Sequence, residues 1–496
     1  MSGDFMIDVL FTHSYFLSFD PKEYEAMMPY PPLGTLYAAS YARQHGYSVA
    51  LFDSMLATDE NELLPAIRLH RPRVVVIYDD DFNYLTKMCL SRMREAAFRM
   101  SSIAKNEGCA VIVHGSDPVD HLTTYFAHNC DVILCGEGEL TLIETLDVLL
   151  RGKGTLEIIA GIAYQEEGVV RRTPERAVVR DLDIFPFPAR DLVDTERYRR
   201  LWKKRHGYFS VNMVTTRGCP FHCNWCAKPI YGQVYNSRSP HNVVQEMKLL
   251  KETTRPDHLW FCDDIFGLKL GWVAHFSEEV LRQKAVIPFK CLGRADLLLK
   301  EDTIENLRRA GCRTVWVGAE SGSQKILDAM EKGTTVEQIY ETTRRLKEAG
   351  IAVGFFLQYG YPGETRDDIA LTLRMVRQCS PDEIGVSVSY PLPGTKFHEK
   401  VRTAMGEKQN WVDSKDLALM FTGTYPADFY RVLHRVTHKK FRVWKSLEAL
   451  SNTMARPWML RPSLFRKLAA GAYHSITLPT IERELSGFQS RNRVNS

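Results

Sequence analysis

Over the first 150 residues, short runs of aliphatic and β-branched residues alternate with longer stretches of helical periodicity. Strands are expected at 7–11, 48–53, 74–78, 110–114 and 132–134, and helices at 33–45, 61–70, 84–106, 122–128 and 139–151. Short, wholly apolar strands set between helices imply a parallel sheet covered on both faces. Five of them fit a flavodoxin-like doubly wound domain over 1–151, whose ligand lies beyond the carboxyl ends of the strands. Residues 152–207 break the rhythm. A small hairpin is expected from 158–165 and 169–172, and Phe185-Pro-Phe187-Pro188 imposes extended backbone, so the segment reads as a linker.

A second alternating series opens near Val211, with strands expected at 211–215, 258–262, 289–292, 314–317, 352–357 and 383–388. Helices are expected at 242–253, 303–310, 336–349 and 367–378, with Gly311 and Gly350 at C-cap positions. Six such units over 208–400 would make a partial (β/α)6 TIM-like barrel, carrying its chemistry on the loops after the strands. Residues 401–496 read as a mainly helical C-terminal segment.

Composition changes this picture little. The chain has 496 residues, 45% hydrophobic and 25% charged, which excludes a disordered protein. No run reaches the ~18 apolar residues of a membrane span. The start of the chain lacks a basic segment followed by an apolar one, so no secretory signal is expected. Eleven cysteines are too few for a disulfide scaffold, yet three of them fall within eight positions. That points to a metal site in a reducing cytoplasm. Charge is uneven: residues 1–150 carry 10 Lys+Arg against 21 Asp+Glu, and 401–496 carry 16 against 7. The basic tail could face an anionic partner, although most such asymmetry is solvated surface.

The densest chemistry is Thr215-Thr-Arg-Gly-Cys219-Pro-Phe-His-Cys223-Asn-Trp225-Cys226, directly after the first strand of the second series. Three thiolates on one short loop can hold three corners of a cubane iron–sulfur cluster and leave one iron open. A structural zinc site would want a fourth protein ligand.

This spacing, with an aromatic before the third cysteine, resembles the radical S-adenosylmethionine (SAM) superfamily. The resemblance implies a 4Fe–4S cluster on Cys219, Cys223 and Cys226 and SAM at the open iron. It implies an electron donor such as flavodoxin or ferredoxin. It extends to Trp225, to Asp263 and Asp264 after the second strand, and to Arg294 after the third. Glu320 and Ser321 after the fourth strand are similar to the segment that bonds the SAM ribose and polar end. The turns holding Gly360 and Pro393 are similar to those around the adenosine.

Pro32, Leu33 and Gly34 at the first helix resemble the opening of cobalamin-binding domains fused ahead of such barrels. So do His114, Gly115 and Ser116, and Gly136, Glu137 and Gly138. A degenerate scaffold domain is the alternative. The Asp-x-His-x-x-Gly motif that supplies an axial histidine to cobalt is absent, and Tyr78-Asp79-Asp80-Asp81 places three acids where a small polar residue is commoner.

Leu417 to Val443 resembles the tail of cobalamin–radical SAM proteins related to the anaerobic magnesium-protoporphyrin monomethyl ester cyclase. Trp444, Trp458, Leu460, Leu464 and Phe465 are expected in core packing, with an interfacial membrane-contact surface as the alternative. No RNA-binding signature accompanies the basic residues, so no nucleic-acid partner is expected. The resemblance as a whole implies a cobalamin-dependent enzyme that methylates an unactivated carbon of a small-molecule or lipid-like substrate. Cyclisation, oxidation or rearrangement without methyl transfer is the second reading, and a cobalamin or redox sensor the third.

Overall fold

The structure, a computed structural model, describes residues 7–455 and 462–488. The chain divides into two compact units: residues 1–221, 227–291 and 410–416, and residues 222–226, 292–409 and 417–496.

The first unit holds a seven-stranded sheet of β1 (Val9–Thr12), β2 (Val49–Leu51), β3 (Val74–Tyr78), β4 (Ala110–His114), β5 (Val132–Leu134), β6 (Ile162–Glu166) and β7 (Val169–Arg172). Its order is β2-β1-β3-β4-β5-β6-β7. The first five strands pair in parallel, and β6 and β7 are antiparallel. The hairpin expected in a linker is therefore part of the sheet, extending its β5 edge. Both faces of β3 are buried, and successive side chains enter opposite layers. Val75 and Ile77 pack with Leu63, Ala97 and Met100, while Val74, Val76 and Tyr78 pack with Ala38, Leu142 and Leu146.

The helix expected over 84–106 is broken into Tyr84–Lys87 and Ser91–Asn106. Between them Met88, Cys89 and Leu90 are buried, and Leu90 is extended rather than helical. Cys89 turns the chain at a left-handed φ of 52°.

After the helix Thr195–His206 come β8 (Ser210–Met213) and a two-stranded ribbon of β9 (Thr216–Arg217) and β10 (Asn236–Ser237). Then follow β11 (His258–Phe261), β12 (Phe289–Gly293), β13 (Cys312–Glu320), β14 (Ala352–Tyr359) and β15 (Glu383–Val388). Six of these form a second sheet in the order β15-β14-β13-β12-β11-β8, and each pairing described within it is parallel. This is the half-barrel that six β–α repeats produce, with loops after the strands gathered at one edge.

The C-terminal part is helical. Helices Ala427–Ala455 and Pro462–Gly487 pack against each other. Trp444 is half-buried. Trp458 and Leu460 lie outside the described residues, as do the side chains of Leu464 and Phe465. No described helix is long and apolar enough to cross a membrane.

Candidate functional site

In the first unit, β8 delivers Thr215 and Thr216 to Asp263, which follows β11. Both backbone N–H groups donate to Asp263 Oδ1 at 2.6 Å, and the two hydroxyls donate at 3.0 and 2.9 Å. Burial pushes the Asp263 carboxyl up to about 6 against these bonds. Asp263 thus fixes the start of the cysteine segment, and Asp264 is paired with Lys87 at 2.7 Å. Arg217 follows, bound to Glu137 and Glu139. Gly218 has φ 79°, and a Cβ there would meet the Val234 carbonyl. Cys219 is buried.

The loops after β1, β3, β4 and β5 pack on one another. Asp80 accepts from Leu33 N at 3.1 Å and Gly34 N at 2.8 Å, so a protein carboxylate already occupies the N-terminus of the helix Leu33–Gln44, whose N-cap is Pro32. Asp79 accepts from Ser14 N and Oγ, both at 2.8 Å, and burial pushes it up to about 6. His114 lies flat on Tyr78 with ring centroids 3.9 Å apart. Its Nε2 donates to Gly136 O at 2.9 Å, and burial pushes its pKa down to about 4, leaving a neutral ring. Gly138 is forced by this stack, because a Cβ would strike the Tyr78 hydroxyl and the His114 ring. Gly115 caps the short helix begun by buried Ser116. Glu137, besides Arg217, accepts from Val179 N at 2.6 Å. Among the described residues, Thr12 Oγ1, Tyr15 OH, Tyr78 OH and His114 Nδ1 are buried without hydrogen-bond partners. All four stand at or just beyond carboxyl ends of strands.

In the second unit, Cys223 and Cys226 are half-buried, and Cys226 N donates to Cys223 O at 3.2 Å. Asn224 anchors the turn between them. Its N–H donates to Met330 O at 3.0 Å, Nδ2 to Ala329 O at 2.8 Å, and its carbonyl accepts from Phe397 N at 2.9 Å. Trp225 Nε1 is buried and has no hydrogen-bond partner among the described residues. Arg294 Nη1 lies 3.9 Å from Cys223 Sγ and also donates to Lys332 O at 2.8 Å. Glu320, at a left-handed φ of 55° where β13 is bulged, accepts from Lys332 Nζ at 2.8 Å. Burial disfavours the Lys332 ammonium, but Glu320 and Cys223 together hold its pKa above the ordinary value. Ser321 is tied to Thr372 at 3.1 Å. Gly360 N donates to Glu364 at 2.7 Å, and Pro393 lies in the turn closed by Thr395 N on Leu392 O at 3.4 Å.

Residues 213–376, from the end of β8 into the helix Arg366–Cys379, match the model of the radical SAM superfamily. This stretch is a radical SAM domain. An uncharacterized methyltransferase of Pyrococcus horikoshii is 29% identical over 375 residues, 74% of this chain and 78% of the relative. The anaerobic magnesium-protoporphyrin IX monomethyl ester cyclase of Rubrivivax gelatinosus is 25% identical over 403 residues, 77% and 69%. Two solved proteins share the fold. The cobalamin-dependent SAM radical enzyme OxsB has a TM-score of 0.70 at 16% identity over 95% of this chain and 72% of its own. The SAM methyltransferase TsrM of Kitasatospora setae has 0.65 at 18%, over 80% and 75%.

In the radical SAM domain, Cys223 and Cys226 share one unit with Trp225, Arg294, Glu320 and Ser321, whereas Cys219, Asp263 and Asp264 belong to the other. Among the described residues no three His, Cys, Asp or Glu side chains stand together as a metal-ligand group. All three cysteines of the segment are free thiols. Sequence reasoning missed Lys332 and the supporting roles of Asn224 and Arg217. Glu331-Lys332-Gly333 reads as an ordinary charged turn, and no periodicity marks it.

Proposed function

We propose that this chain is a cobalamin-dependent radical SAM enzyme that methylates an unactivated carbon of a small-molecule or lipid-like substrate. The observation that carries the reading is the Cys-x3-Cys-x2-Cys loop after the first strand of a parallel half-barrel, inside the radical SAM match. When bound, the 4Fe–4S cluster supplies the electron that cleaves SAM, and the corrinoid supplies the methyl group.

Cys219, Cys223 and Cys226 would furnish the thiolates. Arg294 and Lys332, which pair with Asp296 at 2.9 Å and with Glu320 at 2.8 Å in this structure, are the cations that would meet the SAM carboxylate, with Glu320 and Ser321 toward its polar end. The turns at Gly360 and Pro393 would border the adenosine, and Trp225 Nε1 offers an uncommitted donor. Asp263 acts through Thr215 and Thr216 rather than through the ligand.

The β2-β1-β3-β4-β5 order within the seven-stranded sheet supports a flavodoxin-like layout, whose ligand would sit beyond the carboxyl strand ends. The four unpartnered polar atoms at those ends support a corrinoid there. Pro32, Leu33, Gly34, His114, Gly115, Ser116, Gly136, Glu137 and Gly138 shape its border. The division we favour is a corrinoid domain at 1–151, a connecting segment at 152–207, the half-barrel at 208–400 and a helical substrate-capping segment at 401–496. The reading places the enzyme in the cytoplasm with a flavodoxin or ferredoxin donor, with membrane contact by the basic C-terminal segment only an alternative to core packing there.

Protein reconstituted anaerobically with iron and sulfide should convert SAM to 5′-deoxyadenosine under dithionite. With corrinoid and a small-molecule extract it should also yield S-adenosylhomocysteine. 5′-Deoxyadenosine without S-adenosylhomocysteine would select cyclisation, oxidation or rearrangement, which the likeness to the magnesium cyclase favours. No SAM cleavage would overturn both readings.

A further inference from the structure

Arg217 lies two residues before Cys219 and is 4% exposed. Its Nη1 donates to Glu137 Oε1 at 2.5 Å and Glu139 Oε2 at 3.1 Å, and its Nη2 donates to Glu139 Oε1 at 2.5 Å. Phe185 and Tyr231 lie against the guanidinium, their ring centroids 4.2 and 5.3 Å from it. Both carboxylates begin the helix Gly138–Arg151, so they belong to the loop after β5 of the seven-stranded sheet. Three buried charges are costly to desolvate, and such a set holds only where geometry is excellent and every charge is bonded. Here the fork meets one carboxylate with two bonds and the second with a third, an arrangement a lysine cannot reproduce. Gly218, which admits no side chain beside the Val234 carbonyl, carries this fixed point directly to Cys219.

We propose that Arg217 is a positioning residue: it clamps the segment bearing Cys219 to the loop after β5, and thereby sets the burial of that thiol before iron is bound. The inference rests on the reading of Cys219 as an iron ligand. It gives the loop holding Gly136, Glu137 and Gly138 a second task, as anchor of the cysteine segment.

The test uses the full chain stripped of metal, treated with iodoacetamide and mapped cysteine by cysteine by mass spectrometry. In the wild type, buried Cys219 should react more slowly than Cys223 and Cys226. In R217K the Cys219 rate should rise about tenfold or more, because local opening no longer breaks a buried charge-assisted network. Buried Cys130 and Cys291 should stay slow in the same sample. E139Q keeps an acceptor and removes one charge, so it should raise the Cys219 rate by a smaller factor, and it decides the matter should R217K fail to fold. An unchanged Cys219 rate, or acceleration of Cys130 and Cys291 alongside it, would overturn the clamp. Electron paramagnetic resonance of the reconstituted, reduced wild type separates the two readings. Absence of a cluster signal removes the iron-ligand assignment, whereas the alkylation pattern alone judges Arg217.

Discussion

Glu364 closes the Gly360-Tyr-Pro-Gly363-Glu364 turn after β14. It is completely buried, its Oε2 accepts from Gly360 N at 2.7 Å, and its Oε1 has no hydrogen-bond partner among the described residues. Burial is the main cause of its displacement; the Gly360 bond opposes it, Asp368 adds to it, and Lys325 opposes it weakly, leaving the carboxyl pushed from 4.5 up to about 8. The folded protein therefore keeps a proton that the unfolded chain releases above pH ~4.5. Stability must fall as pH rises from there toward 8, and level off beyond. At 1.36 kcal/mol per unit of pKa, the full effect is roughly 4–5 kcal/mol above pH 8, and about 3 kcal/mol near pH 7. Glu364→Gln retains an acceptor for Gly360 N but never ionises. Between pH 5 and pH 8 the variant should gain on the wild type by roughly 3–4 kcal/mol, whatever constant offset its buried amide introduces. Urea midpoints followed by tryptophan fluorescence at pH 5, 6, 7 and 8 measure the difference, and subtracting wild type from variant cancels the other titrating groups. A difference independent of pH, or one that shrinks as pH rises, would refute the argument.

Replacing Cys219, Cys223 and Cys226 together by alanine should abolish bound iron, the visible thiolate-to-iron absorption and SAM cleavage at once; retention of a full cluster would refute the ligand assignment. Glu320→Gln and Lys332→Met should each weaken SAM binding roughly 10- to 150-fold, the worth of a charged hydrogen bond of ~1.5–3 kcal/mol, with iron content unchanged in equilibrium dialysis. Asp263→Asn should instead lower iron content, because it loosens Thr215 and Thr216 rather than a ligand contact. Hydroxocobalamin should survive desalting, and its Co(II) form should show no nitrogen splitting, since the chain lacks the Asp-x-His-x-x-Gly motif that supplies an axial histidine. A nitrogen-split spectrum would place a histidine on cobalt.

The elements most legible in the sequence were those whose periodicity had one meaning. β3, β4 and β5 begin and end where their aliphatic runs do, because a strand buried on both faces needs no polar partner pattern to locate it. The helix Thr303–Ala310 likewise ends at Gly311, whose φ of 103° supplies the left-handed cap. What periodicity could not convey was context. The run from 84 to 106 contains enough apolar residues for one helix, and only the backbone shows the break, at left-handed Cys89 and extended Leu90. The hairpin at 162–172 has the strand pattern of an isolated ribbon, and nothing local reveals that β6 pairs with β5.

At the candidate site, residue identity was legible and residue employment was not. Asp263 and Glu137 stand at strand ends, where a carboxylate can face a ligand or brace a neighbouring loop, and the sequence assigns them to ligands. Asp263 in fact receives four hydrogen bonds from Thr215 and Thr216, and Glu137 is bonded to Arg217 and Val179 N. Buried carboxylates demand such partners, so a strand-end acid close to other loops is more readily engaged by protein than left open. The same logic explains Asp79-Asp80-Asp81. Read as a departure from a corrinoid pattern, the three acids weaken that assignment; placed in the fold, Asp79 and Asp80 bind Ser14 and the N-terminus of the first long helix. The polar atoms left for a ligand are instead Thr12 Oγ1, Tyr15 OH, Tyr78 OH and His114 Nδ1, mostly from residues a motif search passes over. A corrinoid bound at that edge should therefore be sensitive to Tyr15 and Tyr78. Their phenylalanine variants should lose affinity for hydroxocobalamin by roughly 2- to 12-fold each, the worth of a neutral hydrogen bond of ~0.5–1.5 kcal/mol. Undiminished retention in both variants would move the site away from these strand ends.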